Sequence, residues 1–225
     1  MAGGTAVLFA VQREAPSAQA ARPPVGWFFR EPVGPGRVAR GFKAVEFAAA
    51  MSDDGIVQEM AALREAVGVE ILLSVDLHGA FTAGEAIRLI RRLVQHNLWS
   101  AEAPCAPEDL EGQAEVARSI GGPLALGEEW RTVFEYRPRF EARAMSIIQP
   151  EMGHKGITEF QSAASLRNVP RHEYQHSIFN KNMRYTAGDM ACEAGFYTVP
   201  SGPGLGVAPR DAVLRHVIAE GRSHG

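Results

Sequence analysis

Val69-Glu70-Ile71-Leu72-Leu73-Ser74-Val75-Asp76-Leu77 is nearly continuous in apolar side chains and carries an acid close to its end. A run of that kind, with no polar alternation, predicts a strand over 69–77 covered on both faces, as in a parallel sheet. Ahead of it, Ser52 caps a helix whose first turn holds Asp53 and Asp54 and whose one face holds Ile56, Met60, Leu63 and Val67. Behind it, Thr82 and Glu85 form a capping box that opens a second helix through Ile87, Ile90 and Leu93.

The same alternation continues in both directions. Phe42–Phe47, Leu98–Ala101, Leu124–Leu126 and Met145–Ile148 read as further strands. Pro107, Glu108 and Asp109 start a helix that Gly121-Gly122 stops, and a helical stretch lies around Phe134–Arg143. Strands alternating with helices through short loops predict parallel pairing by right-handed crossovers. Both a (β/α) barrel and a doubly wound sheet satisfy that pattern.

Residues 1–40 differ. Pro23-Pro24 and Gly34-Pro35-Gly36 surround the aromatics Trp27, Phe28 and Phe29, a composition that breaks regular elements, so this N-terminal segment is expected to be irregular. Over all 225 residues the chain is 46% hydrophobic and 22% charged with a formal net charge of −3, which suits a globular protein and excludes a disordered one. That slight acidity lacks the basic footprint of a nucleic-acid binder. No apolar run approaches the ~20 residues a membrane span needs. Ala6–Val11 is too short for the core of a signal peptide, and Cys105 and Cys192 make neither a disulfide framework nor a metal spacing. A cytoplasmic protein with reduced thiols is expected.

Acids recur where strands end. Asp76, Glu102 and Glu128 follow three successive strands at equal intervals of 26 residues, one strand-helix unit each. In a barrel this spacing puts all three at the C-terminal mouth, where active sites of that fold lie. Three facing carboxylates repel unless a cation sits among them, and an all-oxygen set favours Mg²⁺ over Zn²⁺. His78, two residues past Asp76, shares its strand face by alternation and is placed to donate a proton to a leaving hydroxyl. Alternation sends Glu129 the opposite way from Glu128.

Val75-Asp76-Leu77-His78, Glu102-Ala103-Pro104, Gly127-Glu128-Glu129-Trp130 and Gln149-Pro150-Glu151 through Gly156, in this order, resemble the enolase superfamily of the mandelate racemase/muconate-lactonizing type. The Asp-x-His pair is similar to its acid-sugar dehydratase branch, the galactonate dehydratase kind. Pro200–Gly206 resembles the usual end of such chains. The resemblance implies an α/β fold, an incomplete TIM-type (β/α)₇β barrel over 41–225. It also implies Mg²⁺ as cofactor on Asp76, Glu102 and Glu128, with His78 as the acid. Glu151 falls on the partner of the family's histidine base, and Glu173 on the final-strand glutamate that helps hold the enolate. The implied reaction removes water from a small sugar acid, by abstraction of the proton α to its carboxylate, to give a 2-keto-3-deoxy acid. A homo-oligomer is a further expectation.

The chain departs from the family pattern at several places. Glu46 stands where the second barrel strand usually presents lysine, and Ala103 where a second acid or amide is usual. Ile157–His172 has room for one short helix and a turn, so the strand bearing the histidine base is expected to be lost, as is the capping domain. His172 and His176 are read as loop residues. Two alternatives to the dehydratase stand beside it: a barrel remnant that binds metal without doing chemistry, and a racemase or cycloisomerase of the same superfamily.

Overall fold

The computed structural model describes residues 7–8, 10–11, 43–48, 52–164, 172–173, 184–187 and 206–215. Trp27–Phe29, Cys192, His176 and Pro200–Leu205 lie outside them. Two short strands, β1 (Val7–Leu8) and β2 (Ala10–Val11), fall within the segment whose composition reads as irregular. Then come β3 (Ala44–Ala48), α1 (Asp53–Val67), β4 (Leu72–Asp76), α2 (Ala83–Val94), β5 (Leu98–Glu102), α3 (Leu110–Ile120) and β6 (Leu124–Leu126). A 3-10 turn at Val133–Glu135 leads into α4 (Tyr136–Glu141), followed by β7 (Ile147–Ile148) and α5 (Met152–Ala164). Short pieces follow: β8 (His172–Glu173), β9 (Thr186–Ala187), β10 (Ala208–Pro209) and α6 (Asp211–Leu214).

The fold is mixed α/β around a parallel sheet of order β2-β3-β4-β5-β6-β7. β8 pairs in parallel with β1, which runs directly into β2, while β9 and β10 make a separate antiparallel pair. Among the described residues, nothing pairs with the outer edge of β7.

Local signals placed the helices. Ser52 Oγ accepts from Gly55 N at 3.4 Å, and Thr82 N donates to Glu85 Oε2 at 2.9 Å. The third helix starts later than Pro107: Asp109 is its cap, its Oδ1 accepting from Gly112 N at 2.9 Å, and Gly121 ends it in the left-handed region at φ 67°. The strand expected over 69–77 is shorter. It begins at Leu72, and Val69 is 71% exposed in the turn after Gly68. The guanidinium of Arg64 holds that turn by donating to the carbonyls of Gly68 and Ile71.

The two faces of the sheet have different chemistry. Cα register pairs Phe47 with Val75, Val75 with Ala101 and Ala101 with Leu124; this face packs into one apolar core with Ile56, Met60, Ile90, Leu93 and Val116 of the helices. The alternate positions put Glu46 beside Ser74 and Ser74 beside Ser100, and one row later Ala48 beside Asp76 and Asp76 beside Glu102. Glu46, Ser74, Ser100 and Glu102 are all buried there. Helices thus cover the apolar face, and the polar face carries the candidate site. No helix among the described residues is long and apolar enough to cross a membrane.

Candidate active site

Asp76 closes β4 and is the register partner of Glu102, which closes β5. One row below, Ser74 Oγ and Ser100 Oγ are hydrogen-bonded at 2.5 Å, tying the two strands across their polar face. The equal spacing therefore places the first two acids level. It does not do so for the third: the register partner of Glu102 is Ala125, and Glu128 lies three residues further on, beyond the end of β6. A turn brings Glu128 back. Gly127 holds φ 126°, and a Cβ there would meet Tyr136 Cε1 at 2.9 Å, so only glycine fits.

Ligand atoms of Asp76, His78 and Glu128 lie within 4.8 Å of one another. Glu102 does not join that trio; its Oε2 accepts from Gln149 Nε2 at 2.7 Å. His78 arrives by a route that strand alternation does not describe. Its backbone is left-handed at φ 51°, past the strand end, and its N–H donates to Asp76 Oδ1 at 2.9 Å in a local turn. The ring then folds back so that Nδ1 pairs with Asp76 Oδ2. That hydrogen bond raises the imidazole's pKa above its ordinary value against the opposing effect of burial, with Asp76, Glu128 and Glu129 adding charge attraction. Its side chain is 55% exposed while that of Asp76 is 13% exposed, so the ring covers the carboxylate and faces outward.

The remaining expected residues fall elsewhere. Glu151 is exposed and its Oε1 accepts from Gly153 N at 2.7 Å, capping α5 rather than joining the trio. Glu173 is in β8, in register with Leu8. Glu129 lines a cavity of about 330 Å³ whose walls also include Trp130, Arg139 and His154. Residue patterns did not single out Gln149, His154 or Lys155 as site residues. Gln149 is visible beside Pro150-Glu151 in the motif, but its bond to Glu102 spans 47 positions and has no local signal.

Two carboxylates and an imidazole so close need a shared proton or a cation to stay together. The largely buried Asp76 and the adjacent Glu128 offer hard oxygens of the kind Mg²⁺ takes, with the His78 imidazole beside them as a nitrogen donor.

A family model described as "Enolase C-terminal domain-like" matches residues 35–168. The chain is 28% identical over 193 residues to the 3,6-anhydro-alpha-L-galactonate cycloisomerase of Streptomyces coelicolor, covering 76% of this chain and 54% of that protein. It is 36% identical over 107 residues to the D-galactonate dehydratase of Klebsiella pneumoniae, covering 47% of this chain and 28% of that protein. Among solved structures, a member of the enolase superfamily from Agrobacterium tumefaciens superimposes with a TM-score of 0.74 at 38% identity, covering 80% of this chain and 54% of the other. A racemase from Streptomyces coelicolor with bound magnesium superimposes with a TM-score of 0.68 at 26% identity, covering 76% of this chain and 54% of the other. The chain thus spans about half the length of several proteins it matches, and less of others.

Proposed function

This chain belongs to the enolase C-terminal domain-like family, and from that membership we propose that it is a Mg²⁺-dependent sugar-acid dehydratase. The observation that carries the reading is the Asp76–His78 pair set against Glu128. An imidazole whose protonated form is favoured by a carboxylate, half open to solvent, is a proton donor for a departing hydroxyl. Asp76 and Glu128 would hold the ion, and Glu102, level with Asp76 on the next strand but bonded to Gln149, would join them by turning its carboxylate toward it. When bound, Mg²⁺ supplies positive charge for the oxygens of the substrate carboxylate, where negative charge builds as the α-proton leaves.

In this chain the α-proton passes to solvent, His78 gives its proton to the β-hydroxyl as the Cβ–O bond breaks, water departs, and solvent returns a proton to the ring. Asp76 Oδ2 fixes which ring nitrogen carries the bond and keeps the ring over the site. The enol so formed tautomerises to a 2-keto-3-deoxy acid. Glu46 is buried one row below Ala48 and Asp76, beneath the site. The ligand class is a small sugar acid, in a cytoplasmic, self-associating protein.

Incubation of the purified chain with Mg²⁺ and a panel of aldonic and aldaric acids, followed by colorimetric detection of 2-keto-3-deoxy acids, tests this. Product from one or more acids is expected; none from any of them sinks the reading. The relative named as a cycloisomerase matches more of this chain than the dehydratase does, which favours a second reading, isomerisation of a sugar-acid lactone or anhydro-ring. The same incubations followed by NMR separate the two, since isomerisation releases no water and conserves substrate mass.

A further inference from the structure

The Gly127–Glu128 peptide is held from outside its own strand. Gly127 O accepts from Tyr136 Oη at 3.1 Å and from Lys155 Nζ at 2.9 Å. The next carbonyl, Glu128 O, lies 2.9 Å from His154 Nδ1 and 3.5 Å from the same Lys155 Nζ. Lys155 is half-buried and its ammonium lies 5.7 Å from the centre of the Tyr136 ring. Further along α5, past the kink at Gly156 (φ 73°), Glu159 Oε2 accepts from Val133 N at 2.9 Å. The first turns of α5 therefore grip the whole 127–133 connection at its carbonyl and amide groups.

We infer that Lys155 is a positioning residue for Glu128: from α5 its ammonium locks the two carbonyls of the Gly127–Glu128 turn and so sets where the Glu128 carboxylate stands relative to Asp76. The register explains why such a device is needed. Asp76 and Glu102 are held level by the ladder itself, whereas Glu128 has left β6, and no strand pairing fixes its height. A turn free to rock would swing the carboxylate, because Gly127 tolerates a wide range of backbone angles. An ammonium with three donors can serve both carbonyls at once, which a neutral side chain of that length cannot. Burial disfavours the charged lysine, and the surrounding carboxylates of Glu151, Glu135, Glu128 and Glu159 oppose that effect. The grip on the turn stands on the geometry alone; its consequence for metal rests on the reading of Glu128 as a ligand.

Two measurements on Lys155→Met, which keeps the stem and loses the donors, and on Lys155→Arg test it. Without metal, hydrogen exchange is followed in the peptide containing Arg131 and Thr132, whose amides donate to Glu135 Oε2 at 2.8 Å in this same connection. Exchange there is expected to accelerate about tenfold in K155M and to stay near wild type in K155R, with α2 unchanged. With Mn²⁺ as probe, electron paramagnetic resonance is expected to show about tenfold weaker binding in K155M, well below its unfolding temperature, and recovery in K155R. Unchanged exchange in K155M overturns the inference, as does unchanged Mn²⁺ affinity in a K155M protein that is merely less stable. If wild type fails to bind Mn²⁺ while K155M still loosens the turn, the ligand reading of Glu128 falls and the grip on the turn stands.

Discussion

His78 bonds both oxygens of Asp76, its backbone N–H to Oδ1 at 2.9 Å and its ring Nδ1 to Oδ2. One residue thereby orders the other through a ring closed within three positions of chain. The pair is ordered by its own two contacts. Under the proposed function this arrangement would separate two roles that share a location, holding the ion and donating the proton, which should respond differently to substitution.

His78→Asn should lower dehydration about 10²–10⁴-fold, the usual range for a lost general acid, while Mn²⁺ affinity moves by no more than a few-fold. Asp76→Asn should abolish both, since it removes a charged ligand and the carboxylate that orients the ring. Steady-state rates beside metal titration of the same preparations give the answer. Equal loss of metal binding in both variants would show that the ring is a ligand rather than the donor.

Arg64 donates to four carbonyls, those of His96 (3.0 Å), Gly68, Ile71 (2.7 Å) and Asn97 (3.0 Å), and so joins the end of α1 to the end of α2 beneath the sheet. Arg64→Met should destabilise the fold by about 2–4 kcal/mol, because several carbonyls lose a charged donor together. Lysine cannot span the same fork and should recover only part of it. Urea midpoints at unchanged slope measure the difference. A midpoint equal to that of wild type would remove Arg64 from the list of anchors.

The Cys105 thiol is buried, and burial pushes its pKa up to about 11, with Asp109 and Glu115 adding to the rise. A native sample at pH 8 should therefore leave Cys105 unmodified by maleimide over hours, with full labelling after denaturation. Peptide mass mapping distinguishes it from Cys192. Rapid native labelling of Cys105 would show that this loop opens readily.

Glu85 and Glu135 both cap helical turns and both have pKa values below the ordinary carboxylate range. For Glu85 the Thr82 hydroxyl and then the Thr82 N–H are the causes. For Glu135 burial pushes upward, but the Thr132 and Arg131 N–H groups and the Thr132 hydroxyl outweigh it. A carboxylate depressed in the folded state stabilises above its unfolded pKa, about 4.3, and that contribution is lost as pH falls through the folded value. Glu85→Gln and Glu135→Gln should accordingly flatten the fall in stability below about pH 5 while lowering stability near neutrality. Denaturation midpoints from pH 7 down to pH 3 test this; an unaltered acid limb in both variants would contradict it.

How much of this was legible in the residues depends on the range of the interaction. Ser52, the Thr82–Glu85 box and Gly121 act within four positions of chain, and their helices start or stop where those residues stand. The level placement of Asp76 and Glu102 was equally legible, because one strand-helix unit of constant length returns the chain to the same rung. Extending that arithmetic to Glu128 misplaced its rung, because β6 is only three residues long and its pairing with β5 is offset from the spacing. The shared face expected for His78 was reached through a left-handed turn instead, since the strand had already ended.

By itself, the order of amino acids determined the alternating elements, their caps, the acids at the strand ends and the superfamily they resemble, because each is written in contacts between near neighbours or in periodicity. Only the tertiary structure decided that Glu128 meets Asp76 and His78, that Glu102 turns to Gln149, and that Lys155 grips the turn between. Those outcomes depend on strand register and on side chains meeting across 26 or more positions, where the energy of many weak contacts selects the geometry and no single residue announces it.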